Sequence, residues 1–161
     1  MTDQADNVSP EKPEDAGPDS SPAAPDHGYV LDEQIGYLLR KAYQRNAVLF
    51  SEKIQDLTPT QFAVMARLTE LGSVSQNQLG RTVGLDVATT KGVVDRLAGN
   101  GLVRSRRDPH DRRRQLISLT EKGWSHFLAN AATGLEVSAD TLAPLTASEQ
   151  RNLVRLLKKI Q

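Results

Sequence analysis

Between positions 104 and 114 the chain places six arginines (Arg104, Arg106, Arg107, Arg112, Arg113 and Arg114) against two aspartates. Guanidinium groups at that density repel one another in an isolated protein and gain from an anionic partner. Each presents a planar fork of donors that matches phosphate, and the duplex backbone is the commonest extended array of phosphates. A run of like charge is often only a solvated face or a basic tail. Here it is broken by Asp108-Pro109-His110-Asp111, a turn signal in which proline presets its φ and aspartate can bond its own backbone. Apolar residues return on both sides as Leu102, Leu116, Ile117 and Leu119. The spacing predicts an ordered hairpin of two short strands with an arginine-crowded tip.

Catalytic chemistry finds no comparable cluster. The chain has no cysteine, so it has no disulfide framework, thiolate nucleophile or sulfur metal site. Its three histidines, His27, His110 and His126, lie in different settings without ligand spacing. Gly-x-Ser-x-Gly, a Gly-rich phosphate loop and paired carboxylates beside a histidine are all missing. Neither an enzyme nor a metal or other cofactor is expected.

The formal net charge of zero conceals a partition. Residues 1–28 hold seven acids and one base, giving −6, and the remaining 133 residues carry +6. That first stretch also has five of the eight prolines and few apolar residues, so a disordered acidic leader is expected. It has no apolar run of the secretory kind, and no window reaches the ~18 apolar residues of a membrane span. A cytoplasmic protein with one domain over 29–161 fits this composition.

Elements that could position the arginines follow from periodicity and caps. Leu31, Ile35, Leu38, Leu39, Ala42 and Leu49 recur at helical spacing and predict a first helix over about 30–53. At 57–62, Thr58 as N-cap, Pro59 at the first turn, Gln61 closing a capping box and a Leu57–Phe62 staple predict a second helix ending at Gly72. Ser75 with Gln78 repeats that pattern for a short third helix, and Asp86 caps a fourth that runs to about residue 97 or 98. Two short helices joined through Gly84 form a helix-turn-helix unit. The fourth begins Val87-Ala88-Thr89-Thr90-Lys91. Small residues there allow close approach to a groove floor and can meet thymine methyls or base edges. Thr120 caps a fifth helix carrying Trp124, Leu128, Ala131, Leu135 and Leu142, and Thr146 with Glu149 opens a last one. The expected fold is mainly α with a small β wing: a winged helix-turn-helix over about 57–119 between terminal helices at 30–53 and 120–160.

Leu-Thr-Pro-Thr-Gln-Phe at 57–62, Val-Val-Asp-Arg-Leu at 93–97, Gly-Leu-Val at 101–103, Asp-Pro-His-Asp-Arg-Arg at 108–113 and Leu-Thr-Glu-Lys-Gly at 119–123 together resemble the MarR family of bacterial transcriptional regulators. The resemblance covers roughly residues 30–160. It implies a homodimer held by terminal helices, which agrees with the wide apolar stripes on the first, fifth and sixth helices. Position by position, it implies that Arg113 enters the minor groove and Asp111 orients it, with Arg112 alongside. Val87, Ala88, Thr89, Thr90 and Lys91 would open the recognition helix in the major groove, and Ser75 and Gln76 would meet phosphate. Arg104, Arg106 and Arg107 are expected to contact the backbone without reading sequence.

The same resemblance implies a repressor of a double-stranded, pseudo-palindromic operator, released by a small phenolic or aromatic carboxylate effector. Arg40 and Arg45 on the first helix are the expected carboxylate anchors, with Tyr43 and Thr60 nearby. The body also resembles the subgroup that governs catabolism of aromatic acids such as nicotinate. Without cysteine, the peroxide-sensing branch that works by thiol oxidation does not apply. The competing expectation is a winged-helix protein-interaction module that does not bind DNA, which has no need of six arginines in its hairpin.

Overall fold

The computed structural model describes residues 27–109, 111 and 114–161, so most of the expected acidic leader lies outside the described residues, as do His110, Arg112 and Arg113. By packing, the chain divides into residues 1–30 and 31–161, and the second unit carries every element named below. A 3-10 turn at Leu31–Glu33 precedes α1 (Ile35–Lys53) and α2 (Pro59–Leu71). Next come β1 (Val74–Ser75), α3 (Gln76–Val83), α4 (Val87–Gly99), β2 (Val103–Arg107) and β3 (Gln115–Leu119). The chain closes with α5 (Glu121–Leu142) and α6 (Ala147–Leu157). The class is the expected one, mainly helical with a small antiparallel sheet.

Local chemistry starts most of these helices. Thr58 accepts from the Gln61 backbone N–H at 3.2 Å while the Gln61 side chain accepts from Thr58 N–H at 2.7 Å, closing the capping box of α2. Thr146 and Glu149 do the same for α6. At Ser75 the expected box is only half made. Its hydroxyl accepts from Gln78 N–H, but Ser75 is also a residue of β1, paired opposite Leu116. α1 begins at Ile35 instead of residue 30, because Gln34 supplies no side-chain cap and the preceding residues wind into the 3-10 turn.

The sheet has the order β1-β3-β2. β3 pairs antiparallel on both edges, placing Val74 opposite Ile117 on one side and Val103 opposite Leu119 on the other. Ile117 and Leu119 point into the core with Val103, Leu102 and Leu97. Val64, Met65 and Leu68 of α2 and Leu79 of α3 complete its centre. Burying each such side chain contributes about 1.5–3 kcal/mol. The terminal helices give little to this core: α1 buries only Phe50, and α6 buries none of its residues. Ile35, Leu38 and Leu39 of α1, Leu128 and Leu135 of α5 and Val154 of α6 stay exposed. No helix among the described residues is long and apolar enough to cross a membrane.

The hairpin is anchored at its root. The Thr120 hydroxyl donates to Gly101 O at 2.7 Å and accepts from Gly123 N–H at 3.0 Å, so one side chain caps α5 and ties it to the chain entering β2. Lys122 Nζ donates to Asn100 O at 2.8 Å. Gly123 lies so close to this segment that a Cβ built on it would stand 2.0 Å from the Leu102 carbonyl oxygen. Since backbone cannot yield as a flexible side chain can, Gly123→Ala is expected to destabilise the fold by about 1–3 kcal/mol, as overpacking does. Gly99→Ala, where a Cβ meets nothing within 4 Å, is expected to leave the melting temperature unchanged or higher. Thermal unfolding of the two variants beside the parent checks both.

Candidate nucleic-acid interface

Two grooves on the surface share a wall. One, between the start of α3 and the end of the hairpin, is lined by Ser75, Gln76, Asn77, Arg81, Arg114 and Gln115. The other, between α3 and the start of α4, is lined by Gln76, Asn77, Arg81, Asp86 and Val87 among others. Gln76, Asn77 and Arg81 belong to both, so a continuous surface runs from the tip of α4 across the N-terminal turn of α3 to the hairpin. Ser75 and Gln76 are where the sequence places them. Asn77 and Arg81 were missed there; their signal is their position one and five residues after Gln76 on the helix that the capping serine starts.

At the start of α4, Asp86 holds the helix end. Its Oδ1 accepts from Thr89 N–H at 2.8 Å and its Oδ2 from the Thr89 hydroxyl at 2.6 Å. Val87, Ala88 and Thr89 are exposed, and Lys91 is exposed with its Nζ 2.6 Å from Asp95. Thr90 departs from expectation. It is 1 % exposed, its hydroxyl donates to Asp86 O at 2.7 Å, and it packs against α3, where a Cβ on Gly80 would come within 2.5 Å of Thr90 Oγ1. Thr90 therefore holds the two helices together and is not available to a base edge. The next position along a helix turns by about 100°, so Thr89 can face outward while Thr90 faces in.

On the hairpin, Arg104, Arg106 and Arg107 are all exposed. Strand alternation puts Arg104 and Arg106 on one face, opposite Ser118 and Leu116, with Arg104 Nε donating to Ser118 Oγ at 3.3 Å. Arg107 lies on the other face, beyond Val103 and Ser105. Towards the tip, Asp108 N–H donates to Arg114 O at 3.0 Å and Arg114 N–H to Asp111 O at 2.9 Å, the turn that Asp108-Pro109 signals. The Asp108 side chain is buried, 3.9 Å from Arg114 Nε. Asp111 is exposed, and Arg112 and Arg113 lie outside the described residues.

The expected effector residues are more dispersed. Arg45 reaches α5, its Nη2 donating to Asp140 O at 3.3 Å, one of several contacts that pin α1 to α5. Asn46 donates to the Thr141 hydroxyl at 3.0 Å, and Lys53 pairs with Asp140 and Glu136. The hydrogen bond to Asp140, then that to Glu136, raises the Lys53 ammonium above its usual pKa. Arg40 instead lies over the Tyr37 ring of its own helix, 5.2 Å from the centroid, and Tyr43 is exposed. Five helical positions turn by about 140°, so Arg40 and Arg45 do not converge on one point within this chain. Thr60 is half-buried in the first turn of α2.

Helices α3 and α4 with the β2–β3 hairpin define a winged helix-turn-helix protein. The MarR family model matches residues 57–114. The chain is 37% identical over 134 residues to the HTH-type transcriptional repressor NicR of Pseudomonas putida, covering 82% of this chain and 85% of that protein. Among solved structures, a probable transcriptional regulator from Pseudomonas aeruginosa is 47% identical with a TM-score of 0.78, covering 82% of this chain and 100% of that one. Bordetella bronchiseptica BpsR, whose DNA binding is regulated by 6-hydroxynicotinic acid, is 34% identical with a TM-score of 0.77, covering 82% and 96%. The chain belongs to the MarR family of transcriptional regulators.

The Asp86 cap gives the start of α4 a stability that depends on pH in the acid range. The Thr89 hydroxyl, then the Thr89 backbone N–H, holds the Asp86 carboxylate below the ordinary value. A carboxyl lowered in the folded state stabilises it fully above the unfolded value of about 3.9, and the contribution is lost as pH falls through the folded value. Carboxyl-carbon NMR titration is expected to give Asp86 a midpoint below 3.8, and Asp86→Asn to remove that component of acid unfolding.

Proposed function

We propose that this protein is a repressor that grips a pseudo-palindromic operator as a homodimer and releases it on binding a small aromatic carboxylate. The observation that carries the reading is the continuous surface joining Val87, Gln76, Arg81 and Arg114, which sets a helix tip and a basic hairpin on one side of the molecule. A helix of α4's width enters the major groove, and the hairpin then lies over the adjoining phosphates and minor groove. Ser75, Gln76, Arg104 and Arg106 neutralise or bond phosphate, and Arg113, oriented by Asp111, enters the narrow minor groove with Arg112 beside it.

Dimerisation belongs to the helices that contribute least to the core. Leu135 is 74 % exposed and Ile160, just beyond α6, 66 %, and Ile35, Leu38 and Leu39 are exposed on α1. Large apolar side chains left exposed in this number fit an interaction face. In this reading residues 29–161 form the regulator, with helices over 30–53 and 120–160 making the dimer and residues 57–119 the DNA reader. Two readers related by a twofold axis meet half-sites about one helical turn apart.

For the effector, Arg45 is the anchor. It sits where α1 meets α5 and commits one of its donors to a backbone carbonyl, leaving others to take a carboxylate. An effector that binds more tightly to one spacing of the two readers shifts the dimer towards it, a coupling that must be reciprocal with DNA affinity. The likeness to BpsR, whose DNA binding is regulated by 6-hydroxynicotinic acid, supports a hydroxynicotinate-type acid.

Arg113→Ala is expected to weaken operator binding and to reduce the salt slope by about one unit, read by fluorescence anisotropy at several ionic strengths. An unimpaired variant would mean that the wing does not touch DNA. 6-Hydroxynicotinic acid is expected to raise the melting temperature and to lower operator affinity, and Arg45→Ala to abolish both effects. No response of either quantity to that acid would remove the hydroxynicotinate assignment, and a full response in Arg45→Ala would remove the anchor.

A further inference from the structure

We propose that α4 discriminates its DNA site through the C5-methyl groups of thymines, met by the side-chain methyls of Val87, Ala88 and Thr89. This deepens the DNA-binding reading above and rests on α4 entering the major groove. The first turn of α4, Val87 to Thr90, contains no arginine, lysine, asparagine or glutamine, the side chains that read guanine or adenine by hydrogen bonds; Lys91 and Arg96 come later on the helix. The polar groups of that first turn are engaged within the protein. The Thr89 hydroxyl, which has a single proton to give, donates it to Asp86 Oδ2. Asp86 accepts from Thr89 with both oxygens, which leaves its carboxylate held against the helix end. Thr90 is buried and donates to Asp86 O, and Lys91 pairs with Asp95 one turn on.

What the first turn of α4 presents outward is apolar, ahead of the exposed Lys91 and Arg96 further along the helix. Val87, the first helical residue, is 67 % exposed, and Ala88 and Thr89 beside it are exposed as well. A lone exposed valine would need no explanation, but here it stands at the tip of the helix among neighbours whose donors are already committed. Because Asp86 fixes the Thr89 rotamer through its hydroxyl, the Thr89 methyl is held away from that bond. The major groove offers one apolar feature, the thymine methyl, and apolar contact with it distinguishes T·A from the other pairs.

The test uses full-length protein and duplexes it selects from a randomised library. Thymines in the selected half-site are replaced one at a time by deoxyuridine, which keeps every hydrogen-bonding edge and removes only the methyl group. At one or more positions per half-site, binding is expected to weaken about fourfold, the value of one buried methyl-sized group. The salt slope stays unchanged, since no phosphate contact is lost. In Val87→Ala the loss at one of those positions is expected to shrink, so that the double-mutant cycle shows coupling. If the selected duplex is bound in preference to a scrambled one yet every deoxyuridine substitution leaves affinity within twofold, methyl readout is wrong while the DNA-binding reading stands. Sensitivity to deoxyuridine without coupling to Val87 overturns the assignment of that residue. If no sequence is enriched and no salt-dependent binding occurs, the DNA-binding reading fails and takes this inference with it.

Discussion

The placement of the hairpin relative to the first turn of α3 depends on β3 being paired along both edges. On one edge it forms the hairpin with β2, and on the other it holds the two residues of β1, the second of which is the N-cap of α3. Ser75 thus has three duties: strand partner of Leu116, cap for Gln78 N–H, and wall of the groove that faces Arg114. A strand cannot slip by one residue without turning its buried side chains outward, and Ile117 and Leu119 are both core residues. The register that keeps them inside therefore also fixes Arg114 and Gln115 relative to the first turn of α3. Gly123 and Thr120 lock the same strand's far end against Gly101 and Leu102.

That constraint divides the molecule energetically. The core is built from α2, α3, α4 and the sheet, with Phe50 and Val137 as the contributions of the long terminal helices. Besides the apolar contacts of Leu49, Phe50, Phe127 and Val137 with that core, α1 is tied to α5 by Lys53, Asn46 and Arg45 reaching to Glu136, Asp140 and Thr141. Exposed pairs of this kind contribute little to stability, up to about 1 kcal/mol each. Their effect is geometric, because they make the inclination of α1 follow that of α5. In the proposed reading a ligand seated at that junction would act on both helices at once, and α5 begins at the root of the wing.

Features legible in the sequence were those whose physics is local. Thr58 with Gln61 and Thr146 with Glu149 announce their helices because donor and acceptor lie three residues apart. The hairpin is legible because strand, turn and strand are contiguous. β1 was not, since two residues carry no period and its existence depends on Leu116 and Ile117 some forty positions away. The same reason explains Thr90 in part. Thr89 and Thr90 are identical in type; helical phase puts Thr90 in line with the buried Val93, Val94 and Leu97, and Gly80 on another helix leaves the room that its hydroxyl needs. Arg81 joins the interface only once α3 is docked beside the hairpin. On the effector side, Arg40 and Arg45 look equivalent by residue type and differ by helical phase.

The chemistry of α4 and the apolar surface of the terminal helices bear on each other. Arginine–phosphate contacts supply affinity that is nearly independent of sequence, so a basic hairpin alone binds duplex everywhere. A reader whose first turn presents methyl groups adds discrimination in small steps, about fourfold for each group buried. One copy making two or three such contacts separates its site from others by tens of fold, far below the 10³ or more typical of specific regulators. Two copies held rigidly by their terminal helices multiply the two half-site factors, and hundreds- to thousands-fold becomes reachable without any bidentate base contact. If α4 reads methyl groups as proposed, its tip is sufficient only in a dimer, and the exposed apolar residues on α1, α5 and α6 then bear on the same functional argument as Val87.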